Sequence, residues 1–386
     1  MIANPFRFGK EVEGRQFYDR EETFANLYRK LSGGASNVVM YAPRRYGKTS
    51  LVKKVLRKFG DEGVPTVYFD LNKIDSLERF CEEYASALHS VAGRSSAVLD
   101  SIMRYLAHLH PTVGIGGDSV VQVKFEYGAR MTPASVSSVL DLAERIGIEV
   151  LKKPLIVAFD EFQEIGRLSR KVPMEGVFRS CIQAHQNVRY VFFGSKTHML
   201  KRMFGDKSRP FYKSATTIRL PKPPEEESVA FVKERFASCM IGIDDSEAKR
   251  IVAESSNIPY YLQQLSSLVF EAVSAAGRDW VEDGDVTSAM DDMVAENSDY
   301  YVERMAALSE SQRMVVNALA HEPATNFTDD YRCRHLLGCS STVHTALKVV
   351  QDAGIIERDE TGYFVEDPFF ARYLRSAAAI ATTGAR

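Results

Sequence analysis

The segment Ala42-Pro43-Arg44-Arg45-Tyr46-Gly47-Lys48-Thr49 has the residue types and spacing of a phosphate-binding loop. It follows an apolar run and opens a helical stretch. Such a loop aims backbone N–H groups and the positive end of a helix at an anion. Gly47 lets the backbone approach closely, Lys48 reaches the β- and γ-phosphates, and the Thr49 hydroxyl holds Mg2+. Pro43, Arg44, Arg45, Tyr46 and Ser50 complete the expected nucleotide-binding set, with Arg44 and Arg45 serving either phosphate or a neighbouring acid. Ala42 stands where glycine is usual, a modest departure. ATP or ADP with Mg2+ is the ligand for which this chemistry is built.

A second group lies far along the chain. Leu155-Ile156-Val157-Ala158-Phe159 is an apolar run ending in Asp160-Glu161. A buried strand would carry Asp160 to its carboxyl end, where open α/β sheets bind ligands. Asp160 suits the Mg2+ shell, and Glu161 suits polarisation of an attacking water. The run Val188–Gly194 ends in Ser195-Lys196-Thr197, whose hydroxyls could sense the γ-phosphate; a simple helix cap is the plain alternative. Phosphoryl transfer commonly needs a charge-compensating arginine, in cis or from a neighbouring copy. Arg209, fixed before Pro210-Phe211-Tyr212, is the candidate, with Arg202 behind it and an ordinary surface arginine as the alternative.

Positioning these groups requires a parallel sheet. Five apolar runs, at Asn37–Ala42, Pro65–Leu71, Pro154–Phe159, Val188–Gly194 and Thr216–Leu220, read as strands. Helical patterns separate them, at Thr49–Phe59, Ser76–Ala92, Thr132–Leu151 and Pro173–Gln186. That alternation implies an α/β fold covered on both faces. Residues 111–127 read as an inserted β-hairpin around Gly116-Gly117-Asp118. Residues 221–300 are helical throughout, after the linker Pro221-Lys222-Pro223-Pro224. Residues 301–376 read as three short helices and a two-stranded wing, a winged helix-turn-helix. Residues 377–386 read as a flexible tail.

Composition narrows the class. The chain has 386 residues, 45% hydrophobic and 26% charged, as in a globular protein of two or three domains. No apolar run approaches the roughly 18 residues that span a bilayer, so no membrane partner is expected. The charged start and five unevenly spaced cysteines point to a reducing, cytoplasmic setting. The net charge of −2 hides an asymmetry: residues 1–215 carry +10, residues 216–300 carry −10 and residues 301–386 carry −2. The basic block fits a polyphosphate, and the acidic helical block fits closure over it.

Together these residues resemble the archaeal-type ATPase family within the AAA+/STAND group of P-loop proteins. The likeness spans Asn4-Pro5-Phe6, Phe17 through Glu22, the phosphate loop and Phe159 through Gln163. It continues through Gly194-Ser195, Met203-Phe204, Pro210-Phe211-Tyr212, Asn257 through Leu262, and Asp367 through Leu374. The resemblance implies an AAA+-like ATPase core (residues 1–220), a helical lid (221–300) and a winged helix. It implies an adenine-side segment containing Phe17 and Arg20, and Pro259 of the lid near the adenine or ribose. Asn257 stands where the family has glycine. It further implies a slow, ATP-driven switch acting on a protein partner, as a monomer or a homo-oligomer. Many relatives carry a nuclease-like domain after the winged helix; none is expected here.

Two other functions compete. A DNA-binding ATPase would need a basic winged helix, yet the recognition helix from Ser340 offers hydroxyls, His344 and Lys348, and the wing turn carries Asp359 and Glu360. DNA is therefore the less supported partner. A non-hydrolysing nucleotide-gated scaffold is the third reading, against which Asp160 and Glu161 argue. Cys333, His335 and Cys339 lack the spacing of a structural zinc site.

Overall fold

The computed structural model describes residues 3–9, 20–34, 36–91, 96–115, 121–126, 131–168, 173–359 and 361–383. The chain divides into two compact units. One is formed by Arg20–Ala42 and Lys48–Leu220, the other by Pro221–Arg386 with Pro43–Gly47 and the N-terminal segment.

In the first unit a helix, α1 (Glu21–Ser32), precedes β1 (Asn37–Tyr41), whose Val38, Val39 and Met40 are buried. Next come α2 (Lys48–Asp61), β2 (Thr66–Asp70), α3 (Leu77–Val91), α4 (Ser96–Tyr105) and the antiparallel hairpin β3 (Pro111–Ile115) and β4 (Val121–Phe125). Then follow α5 (Pro133–Arg145), β5 (Leu155–Asp160), α6 (Met174–Ala184), β6 (Val188–Gly194), α7 (Thr197–Gly205) and β7 (Ala215–Arg219). The sheet is wholly parallel, in the order β2-β5-β6-β1-β7. Every residue of β5 is buried, as a strand covered on both faces must be.

An aromatic cluster holds one face of this sheet. Phe159, Phe162, Phe178, Tyr190, Phe192 and Phe211 are fully buried there, with Phe162 and Phe192 ring centroids 4.4 Å apart. The inserted hairpin docks on α3 through its second strand. Ser86 Oγ accepts from Val123 N at 2.9 Å and Glu82 Oε1 accepts from Phe125 N at 3.1 Å. Two helix side chains thus satisfy amides of an edge strand. Its tip, Gly116-Gly117-Asp118, lies outside the described residues.

Three helices differ from the sequence reading. The helix expected through Leu151 ends at Arg145, and Ile146–Leu151 is wound as a π-helical turn. The C-cap Lys152 is left-handed at φ 51°. Helices α1 and α4 were absent from that reading.

The second unit is helical from α8 (Glu225–Ala237) through α9 (Asp245–Glu254), α10 (Pro259–Ala275), α11 (Asp285–Glu296) and α12 (Ser298–Ala306). Three glutamates fill the first turn of α8, where the helix dipole favours acids. The N-terminal segment docks on α10: Asn4 Nδ2 donates to Ser267 Oγ at 2.8 Å and Glu271 Oε1 at 2.8 Å. Phe6 packs against Phe236. Next come α13 (Glu310–His321), α14 (Asp329–Arg334), α15 (Ser340–Asp352), the hairpin β8 (Ile356–Arg358) and β9 (Tyr363–Val365), and α16 (Pro368–Thr383). Ser309 and Gln312 close a capping box at the start of α13. Helices α13, α15 and α16 share a core built on Val316, Val350, Ile356 and Phe370. Ala324 bridges Tyr363, adding a third extended segment to the wing. Helix α16 continues to Thr383, through residues read as a flexible tail. Among the described residues, no helix is long and apolar enough to cross a membrane.

Candidate functional site

The phosphate loop joins β1 to α2, and its shape depends on two left-handed residues, Gly47 at φ 83° and Arg45 at φ 66°. Glycine takes that conformation without strain; arginine does so at a cost and needs support. Lys48, the first residue of α2, is buried and donates from Nζ to the carbonyl of Ala42 at 2.7 Å. The ammonium therefore folds back over the loop it belongs to.

Asp160 ends β5, one strand removed from β1, and is 6% exposed. Thr49 Oγ1 donates to its Oδ2 at 3.0 Å, Tyr68 OH donates to the same oxygen at 2.7 Å, and Glu161 N donates to Oδ1 at 2.8 Å. Burial pushes the Asp160 carboxyl up to about 6, against the lowering effect of Tyr68 and Thr49, with the Glu161 charge adding to the rise. A buried carboxyl beside a threonine hydroxyl, bonded by no basic side chain among the described residues, is a donor set that fits a hard divalent cation. Thr49 and Asp160 are the residues that would hold Mg2+. Tyr68, on β2, was missed in the sequence; its alignment beside β5 became visible only through the strand register, Tyr68 opposite Ala158.

Glu161 lies just past the strand end in a left-handed conformation, φ 49° and ψ 44°. Its Oε2 accepts from Ser195 N at 3.1 Å, from Ser195 Oγ at 3.0 Å and from Gln163 Nε2. Ser195, read from the sequence as a γ-phosphate sensor or cap, is thus bonded to the neighbouring acid. Strands β5 and β6 are adjacent, which brings the two together.

Lys196 and Arg209 have carboxylate partners. Lys196 Nζ lies 2.9 Å from buried Glu164, which Arg167 also approaches at 2.7 Å. Burial raises the Glu164 carboxyl, but these two cations outweigh it and hold it below its ordinary range. Arg209 grips Glu175 with two hydrogen bonds, one from Nε at 3.0 Å. Burial leaves the Glu175 carboxyl raised even so.

In the second unit, Arg45 donates from Nη1 to Glu366 Oε2 at 2.7 Å and to Tyr261 OH. Its guanidinium also lies over the rings of Tyr260 and Tyr261, at 5.0 and 4.8 Å. Glu366 is buried, and burial keeps its carboxyl raised although Arg45 pulls it down. Glu366 immediately precedes Asp367, which caps α16 by accepting from Phe369 N and Phe370 N. The guanidinium of Arg44 lies against Gly354. Pro259 is the first residue of α10, where its missing N–H costs nothing. Asn257 is left-handed at φ 52°, which explains why asparagine can replace the family's glycine. Its side chain bonds Ser228 and the Pro223 carbonyl. Arg20 is buried ahead of α1, at φ 82°, and Phe17 lies outside the described residues. His335 bonds Glu322, whereas Cys339 bonds Ser341 and Thr342.

A parallel sheet with a phosphate loop after β1, an acidic end on β5 and a winged helix-turn-helix behind a helical bundle defines a P-loop NTPase of AAA+-like build. The family described as an ATPase domain predominantly from Archaea matches residues 17–265, and the chain belongs to it. A probable winged helix domain matches residues 299–376. Among solved structures, the Walker-type ATPase PABY2304 of Pyrococcus abyssi is similar at 18% identity and a TM-score of 0.64, covering 96% of this chain and 99% of that one. The Aeropyrum pernix ORC2 protein, solved as ADPNP–ADP complexes, is similar at 15% identity and a TM-score of 0.54, covering 97% of each chain. The Aeropyrum pernix ORC1 protein in complex with DNA has 14% identity and a TM-score of 0.50, covering 97% of this chain and 95% of that one. At these identities the likeness is one of fold. No curated protein matches the chain.

Proposed function

We propose that the protein is an Mg2+-dependent ATPase that works as a switch, coupling nucleotide state to its conformation or to assembly with a protein partner. The observation that carries this reading is the Thr49–Asp160 pair at 3.0 Å, with Glu161 next to it and Lys48 buried in the loop. Lys48 and the loop amides would hold the β- and γ-phosphates. Bound Mg2+ would supply charge neutralisation at the phosphates. Glu161 would take a proton from water as the water oxygen bonds to the γ-phosphorus and the bridge to the β-phosphate breaks, releasing ADP and phosphate.

The switch component is supported by Arg45. A residue of the phosphate loop is ion-paired to Glu366, which sits beside the cap of α16 in the winged helix domain. Occupation of the loop by a polyphosphate would compete for that arginine. A role on DNA is less well supported. The exposed side chains of α15 include Ser341, Thr342, His344, Thr345 and Lys348, so this helix offers phosphates few cations.

Two substitutions test the reading. Lys48→Ala is expected to abolish ATP binding in a calorimetric titration. Glu161→Gln is expected to keep binding and lose at least a hundredfold in turnover. Equal turnover by wild type and Glu161→Gln would remove Glu161 from the chemistry. Mass measurements with ADP, with ATP and without nucleotide then separate a nucleotide-dependent assembly from a monomeric switch.

A further inference from the structure

We propose that Gln163 is a positioning residue: with Ser195 it fixes one carboxylate oxygen of Glu161, so that the other is presented to water. The inference rests on the reading of Glu161 as the base. A glutamate has three side-chain torsions, and holding it in one geometry costs conformational entropy. Here that cost is met by convergence. Three donors, Ser195 N, Ser195 Oγ and Gln163 Nε2, all end on Oε2. No hydrogen bond from a described residue engages Oε1.

Gln163 is buried beside Glu161. The residue is only 3% exposed, within a short 3-10 turn after β5. Its Oε1 is buried and has no hydrogen-bond partner among the described residues. An orphaned amide oxygen is unfavourable, and a fold indifferent to Glu161 would gain by an apolar residue there. The amide orientation follows from charge: turned over, the carbonyl would face the Glu161 carboxylate. Gly194 completes the arrangement. A Cβ there would lie 2.2 Å from Gln163 Oε1, so any side chain at 194 displaces the amide from Glu161. On the far side, Nε2 lies 3.5 Å from Glu164, which Lys196 and Arg167 already hold.

The test uses the full chain, with ATP turnover and ATP binding measured separately. Gln163→Met keeps the volume and removes the donor. It is expected to lower kcat about ten- to a hundredfold, the range for one hydrogen bond to a charged group, and to leave ATP affinity within twofold. Gly194→Ala is expected to reproduce that split. Gln163→Glu supplies a signature that packing alone would not. Its new carboxyl repels Glu161 when ionised and donates when protonated, so its rate relative to wild type should rise as pH falls. A wild-type kcat in Gln163→Met, or a parallel loss of affinity and kcat, would overturn the inference. Should Gln163→Met fail to melt cooperatively, Gln163→Glu decides, and a pH-independent ratio to wild type overturns it. Glu161→Gln run alongside separates the two readings. If it is inactive while Gln163→Met is unaffected, only the positioning role falls. If it turns over normally, the base assignment itself falls.

Discussion

Replacing Asp160 by asparagine should stabilise the protein in the absence of ligand while destroying its response to Mg-ATP. Burial moves the Asp160 carboxyl from its ordinary 3.8 to about 6. At about 1.36 kcal/mol per pKa unit, that displacement sets roughly 3 kcal/mol against the ionised form at neutral pH. Because the folded value lies above the unfolded one, the favourable contribution is complete below 3.8 and is lost as pH rises through about 6. Asparagine never ionises and escapes the loss. Its oxygen can still accept from Glu161 N, and its Nδ2 can donate to the Thr49 and Tyr68 hydroxyls, which turn from donors into acceptors. Allowing about 1 kcal/mol for the weaker neutral bonds, a gain of roughly 2 kcal/mol remains. For a unit of this size that is about 4–8 °C in melting temperature. The assay is thermal unfolding of wild type and Asp160→Asn without nucleotide, from pH 8 down to pH 4. The gap should be widest at pH 8 and close toward pH 4. Adding Mg-ATP should reverse the order, because only wild type then gains binding energy. A variant that melts below wild type at pH 8, or a gap that ignores pH, would refute the argument.

Glu366→Gln should weaken the hold on Arg45 and raise ATP affinity by up to about tenfold, read by calorimetric titration. An unchanged affinity would show that Arg45 does not answer to phosphate. Arg209→Ala should act chiefly on stability, since it strips the partner from buried Glu175; about 3 kcal/mol is expected from thermal unfolding, with less than tenfold lost in turnover. A hundredfold loss of turnover with unchanged melting would instead make Arg209 the charge-compensating arginine.

How far the sequence spoke depended on the kind of signal. Strands β1, β5 and β6 could be read because each carries an apolar run, the mark of a strand buried on both faces, whereas β2 and β7 are only partly buried and stood out by β-branched and aromatic residues. The Asp160 strand and the Ser195 strand are neighbours in the sheet. What Ser195 touches could not be read. Its hydroxyl competes between a phosphate, a helix end and a carboxylate, and only the left-handed turn at Glu161 brings the carboxylate within 3.0 Å. The contacts of Tyr68 and Gln163 were hidden for a related reason. Tyr68 sits inside a strand and carries no charge or motif position; Gln163 lies in the stretch that resembles the family, but its contact with Glu161 depends on the short 3-10 helix that follows β5. Arg45 was legible as a loop cation, but its partner Glu366 lies 321 residues away, and no local pattern spans that distance.

The charge asymmetry needs the same care. A block of +10 does not mean ten cations waiting for phosphate. Lys196 is committed to Glu164, Arg209 to Glu175 and Arg45 to Glu366. Each would have to leave a carboxylate, and breaking a buried ion pair strands the charge left behind. Lys48 donates to a carbonyl of its own loop. A carbonyl has no net charge to strand, so a phosphate can replace it with a net electrostatic gain. The charge sum of the block therefore overstates what a polyphosphate could use, because these three cations already face carboxylates.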